Sequence, residues 1–263
     1  MKIVETATII SQECLCPGIY SMWLKTAIAD TAQPGQFISV YSNSDARLLP
    51  RPISICEIDD SKRPGSLRIV YRVAGDGTKE FSEMTEGEEL SILGPNGNGF
   101  MAALREDIRP DTKALLVGGG IGIPPMLELA KKLGCDVSIV AGYRSAGEMF
   151  LTKELESAGK LYTATDDGSF GTAGTVIDAI NANVIKSDVI FACGPAPMLK
   201  GVKALSEKMG INAYISMEER MACGVGACLA CVCESSGIDE HSKVNNKRVC
   251  ADGPVFIASE VVL

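Results

Sequence analysis

The sequence predicts a multidomain chain in three parts. Residues 1–101 form an antiparallel β unit of barrel or sandwich type, 110–216 an α/β domain on a parallel sheet, and 217–263 a small cysteine-rich module. Three observations predict it. Short β-prone runs separated by turn residues fill the first hundred positions. Apolar strand-like runs then alternate with segments of helical period, the pattern of βαβ units covered on both faces. Five of the ten cysteines then lie between Cys223 and Cys250.

In the first part the strand candidates are Tyr20–Leu24, Phe37–Tyr41, Ile53–Cys56, Leu67–Val73 and Glu89–Leu93. Pro34-Gly35, Pro64-Gly65 and Gly94-Pro95-Asn96-Gly97 punctuate them. Helical period is weak here, with one turn at most over Glu80–Met84. In the second part strands are expected at Lys113–Val117, Asp136–Ala141, Lys160–Thr165, Asp188–Ala192 and Asn212–Ser216. Helices are expected at Pro124–Leu133, Ser145–Ala158, Thr172–Ile180 and Pro195–Met209, the last ended by Gly210. The tail carries one strand-like run, Pro254–Ile257, and too few large apolar residues for a core of its own. No repeat or low-complexity stretch interrupts these patterns.

The bulk numbers narrow the setting. A chain of 263 residues, 46% hydrophobic, can build two cores at roughly 150 residues per domain. With only 5% aromatics those cores are aliphatic. Lys plus Arg number 25 against 33 Asp plus Glu, and a net charge of −8 argues against binding nucleic acid. Glu5 interrupts the N-terminus before any apolar leader, and no run reaches a membrane span, so a cytoplasmic protein is expected. Clustered cysteines in such a setting point to a metal or cluster site rather than to disulfides.

Cys223, Cys228, Cys231 and Cys250 have the spacing C-x4-C-x2-C-x18-C. That is the plant-type [2Fe–2S] pattern. Two bridged irons need two thiolates each. A tight loop supplies three and a returning segment the fourth. Gly224, Gly226, Ala227 and Ala230 let the backbone wrap closely and aim N–H groups at the sulfurs. A four-cysteine structural zinc site is the competing reading, although such sites normally use two close pairs. Ordinary buried cysteines are the other. Cys233, two residues beyond Cys231, is read as a non-ligand. Cys56 and Cys135 are read as core residues. The single histidine, His241, is read as an exposed loop residue, and a Rieske centre, which needs two histidines, does not fit.

Gly118, Gly119, Gly120 and Gly122 follow a strand and open a helix, as a turn approaching a pyrophosphate does. The G-x-G-x-x-G spacing is not met, because Pro125 stands where the last glycine would be, and a purely structural bend remains open. Cys193-Gly194-Pro195 repeats the strand–turn–helix arrangement. Both turns fall at the carboxyl edge of the predicted sheet, where open α/β sheets bind ligands. In the first part, Arg51 of Arg51-Pro52-Ile53-Ser54 can pair with phosphate. Tyr71 of Val70-Tyr71-Arg72 can stack on a ring, and Gly77 and Thr78 can offer backbone N–H groups. The bland alternative is a surface turn beside ordinary strand residues. Arg144, Ser145 and Asp166-Asp167-Gly168-Ser169 end strands near the same edge and leave NAD or NADP open.

In this order the motifs resemble those of the ferredoxin reductase-like flavoproteins. More closely, the chain resembles the electron-transfer subunits of NAD-dependent dihydroorotate dehydrogenase B, over nearly its whole length. The resemblance implies an N-terminal antiparallel β-barrel binding FAD, a central α/β parallel-sheet domain binding NAD and a C-terminal [2Fe–2S] module. It implies FAD contacts at Arg51, Pro52, Ile53, Ser54, Val70, Tyr71, Arg72, Gly77 and Thr78. It implies cluster ligation by Cys223, Cys228, Cys231 and Cys250. It also implies a partner, an FMN-containing TIM-barrel subunit that oxidises dihydroorotate to orotate for pyrimidine synthesis, in a heterotetramer of two copies each. Electrons would pass from that FMN through the cluster and FAD to NAD+. Similar subunits occur in electron-bifurcating NADH-dependent ferredoxin:NADP oxidoreductases and in sulfide dehydrogenases. A zinc-stabilised interaction protein without redox chemistry is the alternative from another class.

Overall fold

The computed structural model describes residues 2–44, 46–238 and 243–263. His241 lies outside them. Six antiparallel strands come first: β1 (Ile3–Cys16), β2 (Ile19–Lys25), β3 (Phe37–Val40), β4 (Arg51–Asp59), β5 (Ser66–Arg72) and β6 (Glu89–Asn96). They close in the order β1-β2-β5-β4-β3-β6, a barrel rather than a sandwich. Ile9, Met22, Leu24, Ile38, Ile55, Leu67, Ile69 and Ile92 fill it. Full closure leaves no strand edge to protect.

The long strand β1 is the element that sequence reasoning missed. Its pairing with β2 shifts between Ile9 and Ser11, so the two-residue alternation breaks halfway. Ser11, Gln12 and Glu13 then follow one another, and Gln12 turns its amide to the carbonyls of Phe81 (3.0 Å) and Met84 (2.7 Å). Those acceptors belong to the end of α1 (Asp76–Glu83), longer than the expected single turn. Phe81 plugs the barrel from α1, edge-on to Tyr71 at 6.2 Å between centroids. A short helix α2 (Phe100–Ala103) leads out of the barrel.

The second sheet holds β7 (Lys113–Gly119), β8 (Asp136–Tyr143), β9 (Lys160–Thr165), β10 (Thr172–Ala173), β11 (Val189–Cys193) and β12 (Ala213–Ser216). Between them run α3 (Pro124–Lys132), α4 (Thr152–Ala158), α5 (Val176–Ala182) and α6 (Ala196–Met209). The order is β10-β9-β8-β7-β11-β12, all parallel. The chain builds outward from β7 in one direction, then returns to build through β11 in the other. The switch point therefore lies between β7 and β11, where ligands bind in such sheets. The helix expected over Ser145–Ala158 is split. Phe150 and Leu151 turn into the core, and Leu151 takes a left-handed backbone, so only α4 continues as helix. The segment Thr172–Ile180 likewise divides into β10 and α5.

In the tail, β13 (Val232–Glu234) and β14 (Asn246–Arg248) pair with each other, while β15 (Val255–Ile257) adds antiparallel to β12. The tail thus borrows the α/β core: Phe256, Val261, Cys231 and Cys250 pack with Ile215 and Met217. It also grips the barrel. Asn98 donates its backbone N–H to Gly253 (2.6 Å) and its amide to the carbonyls of Ala251 (3.1 Å) and Asp252 (3.2 Å). Among the described residues no helix is long and apolar enough to cross a membrane.

Phe81 is 1% exposed and ties α1 to the barrel interior. Phe81→Ala is expected to lower the unfolding free energy of the barrel by about 3–5 kcal/mol, while Phe81→Leu costs far less. Denaturant titration followed by tyrosine and tryptophan fluorescence measures both.

Candidate functional site

The cysteines of the C-x4-C-x2-C-x18-C pattern lie in a loop and returning segment packed against the barrel at Gly224 and against the α/β core at Cys231 and Cys250. Gly224 and Gly226 take left-handed backbones, which lets the loop after Cys223 fold back tightly. Arg248 fastens the returning strand to this loop: it pairs with Asp252 at 2.8 Å and donates to the Gly226 carbonyl at 3.2 Å. Cys223 lies beside Cys228, and Cys250 beside Cys231. The N–H groups of Val225, Ala227 and Cys228 point at the Cys223 sulfur and, with the Cys228 thiol, pull its pKa down to about 6. The Cys250 N–H points at the Cys231 sulfur, 3.4 Å away. Burial and the Cys231 thiol push Cys250 up to about 12.

Two pairs of thiols suit a two-metal cluster with two thiolates per metal. Cys233 stands apart: its thiol is buried, and the charges nearest to it are Glu219 and Lys247, not the other cysteines. Gly224 packs on the barrel wall, where a Cβ would come 2.7 Å from the Ser39 hydroxyl. Asn96, fully buried beside it, donates to Ser39 at 3.2 Å.

The Arg51 and Gly77 motifs, distant in sequence, meet at the N-terminus of α1. A Cβ on Gly77 would lie 2.7–2.8 Å from the Arg51 guanidinium. Arg51 also donates to the Leu49 carbonyl. A guanidinium laid over the first turn of a helix is suited to phosphate oxygens. Thr78 caps this helix, accepting from the N–H groups of Ala74 (2.9 Å) and Gly75 (3.2 Å). Along β4, Pro52 is exposed, Ile53 faces the barrel core and Ser54 is half-buried. On β5, Val70 is buried against the α/β domain. Tyr71 departs from the expected open stacking surface. It is 2% exposed, its hydroxyl donates to Gln12 (2.8 Å), and its ring stacks on Tyr20 at 6.0 Å.

Arg72 points the other way, into a cleft of about 640 Å3 between the barrel and the sheet edge. Its Nε is buried and, among the described residues, has no hydrogen-bond partner. Gly119, Gly120 and Gly122 line one wall of the cleft, and Gly194 and Pro195 another. The two turns fit only because they are glycine-built. A Cβ on Gly122 would stand 2.2 Å from the Cys193 carbonyl oxygen, and one on Gly119 2.6 Å from the Met198 sulfur. Gly118 lies behind the wall against Ile123. The Cys193 thiol is shut in next to Ser216 and Glu218, its pKa raised to about 12 by burial.

Arg144 and Asp166 line the cleft, in keeping with their strand-end positions. Thr175, Val176, Met198 and Glu218 line it too, and sequence reasoning missed them. A glycine followed by a helix-capping threonine, Gly174-Thr175, is the readable signal for the first two. Glu218 has none, because it follows the last parallel strand without a motif. Solvent reaches Glu218 through the cleft, yet the walls desolvate its carboxyl and raise its pKa.

A barrel with a phosphate-suited helix end, a parallel-sheet cleft and a paired four-cysteine loop define an electron-transfer protein of ferredoxin reductase-like architecture. The family model described as the iron-sulfur cluster binding domain of dihydroorotate dehydrogenase B matches residues 218–262. The chain is 44% identical to the dihydroorotate dehydrogenase B (NAD(+)) electron transfer subunit of Geobacillus kaustophilus, over 98% of both chains. It is 42% identical to that of Listeria monocytogenes serotype 4b, over 97% of both. Among solved structures, that of an NADH-dependent reduced ferredoxin-NADP oxidoreductase, described for flavin-based electron bifurcation, aligns with a TM-score of 0.84 at 28% identity. The alignment covers 97% of this chain and 89% of that one. The chain belongs to the family of dihydroorotate dehydrogenase B electron transfer subunits.

Because Gly122 sits against the Cys193 carbonyl, Gly122→Ala is expected to force the two turns apart. Loss of about tenfold or more in ADP-ribose affinity, read by titration calorimetry, is the expected outcome, since a displacement near 1 Å at a binding turn has effects of that size.

Proposed function

We propose that this chain accepts electrons from a dihydroorotate-oxidising partner and delivers them to NAD+, supporting oxidation of dihydroorotate to orotate in pyrimidine biosynthesis. The observation that carries the reading is the pairing of the four thiols beside a barrel that also walls the nucleotide cleft. The partner in this reading is an FMN-containing TIM-barrel subunit, in a heterotetramer of two copies each, working in the cytoplasm. Residues 1–101, 110–216 and 217–263 serve as its flavin, nucleotide and cluster parts.

When bound, the [2Fe–2S] cluster supplies single-electron exchange, FAD couples single electrons to hydride chemistry, and NAD+ takes up the hydride. Cys223, Cys228, Cys231 and Cys250 would hold the cluster, as two neighbouring pairs. The N–H groups of Val225, Ala227 and Cys228 favour the thiolate form that a soft ligand needs. Arg51 and the first turn of α1 at Gly77 and Thr78 bind the FAD pyrophosphate. Pro52, Ile53, Ser54, Val70, Tyr71 and Arg72 shape the flavin side of the barrel, with Tyr71 acting from the interior as a support. Gly118, Gly119, Gly120 and Gly122, with Cys193, Gly194 and Pro195, form the NAD pyrophosphate seat. Gly118 and Cys193 contribute through the backbone and packing. Asp166, on the rim, suits a free ribose hydroxyl better than a 2′-phosphate and so favours NAD.

A second reading, a subunit of an electron-bifurcating ferredoxin:NADP oxidoreductase, is supported by the TM-score of 0.84 to such a structure. The higher identity over the full chain favours the first. The partner that co-purifies separates them: a single FMN protein against a larger protein with cubane clusters.

The test is anaerobic isolation of the complex with iron and flavin analysis. Cys228→Ser is expected to remove the cluster and dihydroorotate-linked NADH formation while sparing NADH oxidation by an artificial acceptor. Equal loss of both activities, or a wild-type complex without iron and flavin, would overturn the reading.

A further inference from the structure

A charged seam outside the cofactor sites joins the barrel to the α/β domain. Arg68 on β5 is 5% exposed. Its Nε donates to Ser21 (2.8 Å), and its terminal nitrogens meet Glu57 (2.7 Å), Glu13 (3.4 Å) and Glu154 of α4 (3.5 Å). Glu57 also takes Lys131 of α3. At the buried end of this seam lies Glu128 of α3, 2% exposed. Its Oε2 accepts the backbone N–H of Ile58 on β4 at 3.1 Å. Among the described residues its Oε1 has no hydrogen-bond partner, and the Lys132 ammonium stands 3.9 Å away.

Both partners of this bond belong to elements that carry a cofactor seat. Helix α3 starts at Pro124, directly after the Gly120–Gly122 turn, and Glu128 lies about one helical turn further on. Strand β4 starts at Arg51. Strand β3 pairs with β4 only as far as Ser54; beyond it β4 continues along β5 alone, with Ile58 opposite Leu67, and the Ile58 N–H goes to Glu128. A buried carboxylate with one amide partner is a costly way to fill space, and a well-packed apolar side chain would stabilise the seam better. What the carboxylate supplies is a directional link between the nucleotide turn and the flavin-bearing strand.

We infer that Glu128 is a positioning residue: through Ile58 it sets the nucleotide cleft against the flavin face of the barrel at the separation that hydride transfer requires. The inference rests on the proposed electron-transfer function.

The test uses the intact complex, with stopped-flow reduction of the bound flavin by NADH and amide hydrogen exchange at Ile58. Glu128→Leu is expected to slow the limiting rate by about tenfold to hundredfold with little change in NADH dissociation constant and with full flavin and iron. The Ile58 amide should lose protection. Glu128→Gln, which keeps a carbonyl acceptor, should restore both rate and protection. A Leu variant reduced at the wild-type rate, or a Gln variant as slow as Leu, overturns the inference. Should the Leu variant not hold flavin, Glu128→Asp withdraws the acceptor by one methylene, and a wild-type rate there overturns it equally. A wild-type complex whose flavin NADH does not reduce would instead count against the function itself.

Discussion

The arrangement depends on one junction, where the turn between Cys250 and β15 is held from two sides. On one side Asn98, at the exit of the barrel, takes the carbonyls of Ala251, Asp252 and Gly253. On the other side β15 hydrogen-bonds to β12 at the edge of the parallel sheet. The fourth cysteine therefore cannot move without dragging either the barrel or the sheet. A segment with few large apolar residues cannot order itself, because chain entropy opposes it at about 1–2 kcal/mol per residue. Here the order comes from the two larger bodies, and the cysteine loop inherits it through Arg248, which reaches from the turn to the Gly226 carbonyl.

The same two bodies frame the nucleotide cleft, so the geometry of electron exchange and of hydride exchange share a scaffold. The barrel contributes Arg72 and Ile19 to the cleft wall, and the sheet contributes its two glycine turns. Those turns touch each other at Gly122 and Cys193, which makes the cleft floor a packed surface rather than two independent loops. The seam through Arg68 closes the opposite side. Its central guanidinium is buried and satisfied by several carboxylates, the condition under which a buried charge is tolerable.

Much of this is legible in the sequence because periodicity reports burial. The parallel strands are short, continuous apolar runs, and their limits in the chain lie within a few residues of those in the fold. Cys223, Cys228, Cys231 and Cys250 stand out by spacing, because small residues between cysteines leave room for a backbone that must wrap tightly. What is not legible depends on tertiary partners. β1 breaks its alternation where Gln12 serves α1, a helix some 70 residues away in sequence. Leu151 is left-handed because the core requires its side chain there, and no local propensity announces that. Tyr71 reads as an exposed stacking residue because strand periodicity gives a face but not which face is inside. Glu218 and Glu128 carry no motif at all, since their significance comes only from what the fold places around them.

The ten cysteines show how one side chain is given opposite chemistries by its surroundings. Burial among apolar groups destabilises a thiolate, so Cys56 and Cys193, both sealed in cores, are pushed up and left inert. Cys233 is raised the same way although it stands two residues from a proposed ligand. Cys223 has the opposite environment: the backbone N–H groups of Val225, Ala227 and Cys228, in a loop turned at Gly224 and Gly226, with the Cys228 thiol beside it. Those donors do not depend on any metal, and they stabilise negative charge on sulfur before one arrives. The loop thus favours a thiolate at Cys223, while burial holds the proton on Cys250 as it does on Cys233, so an arriving cluster must displace a proton at the fourth ligand.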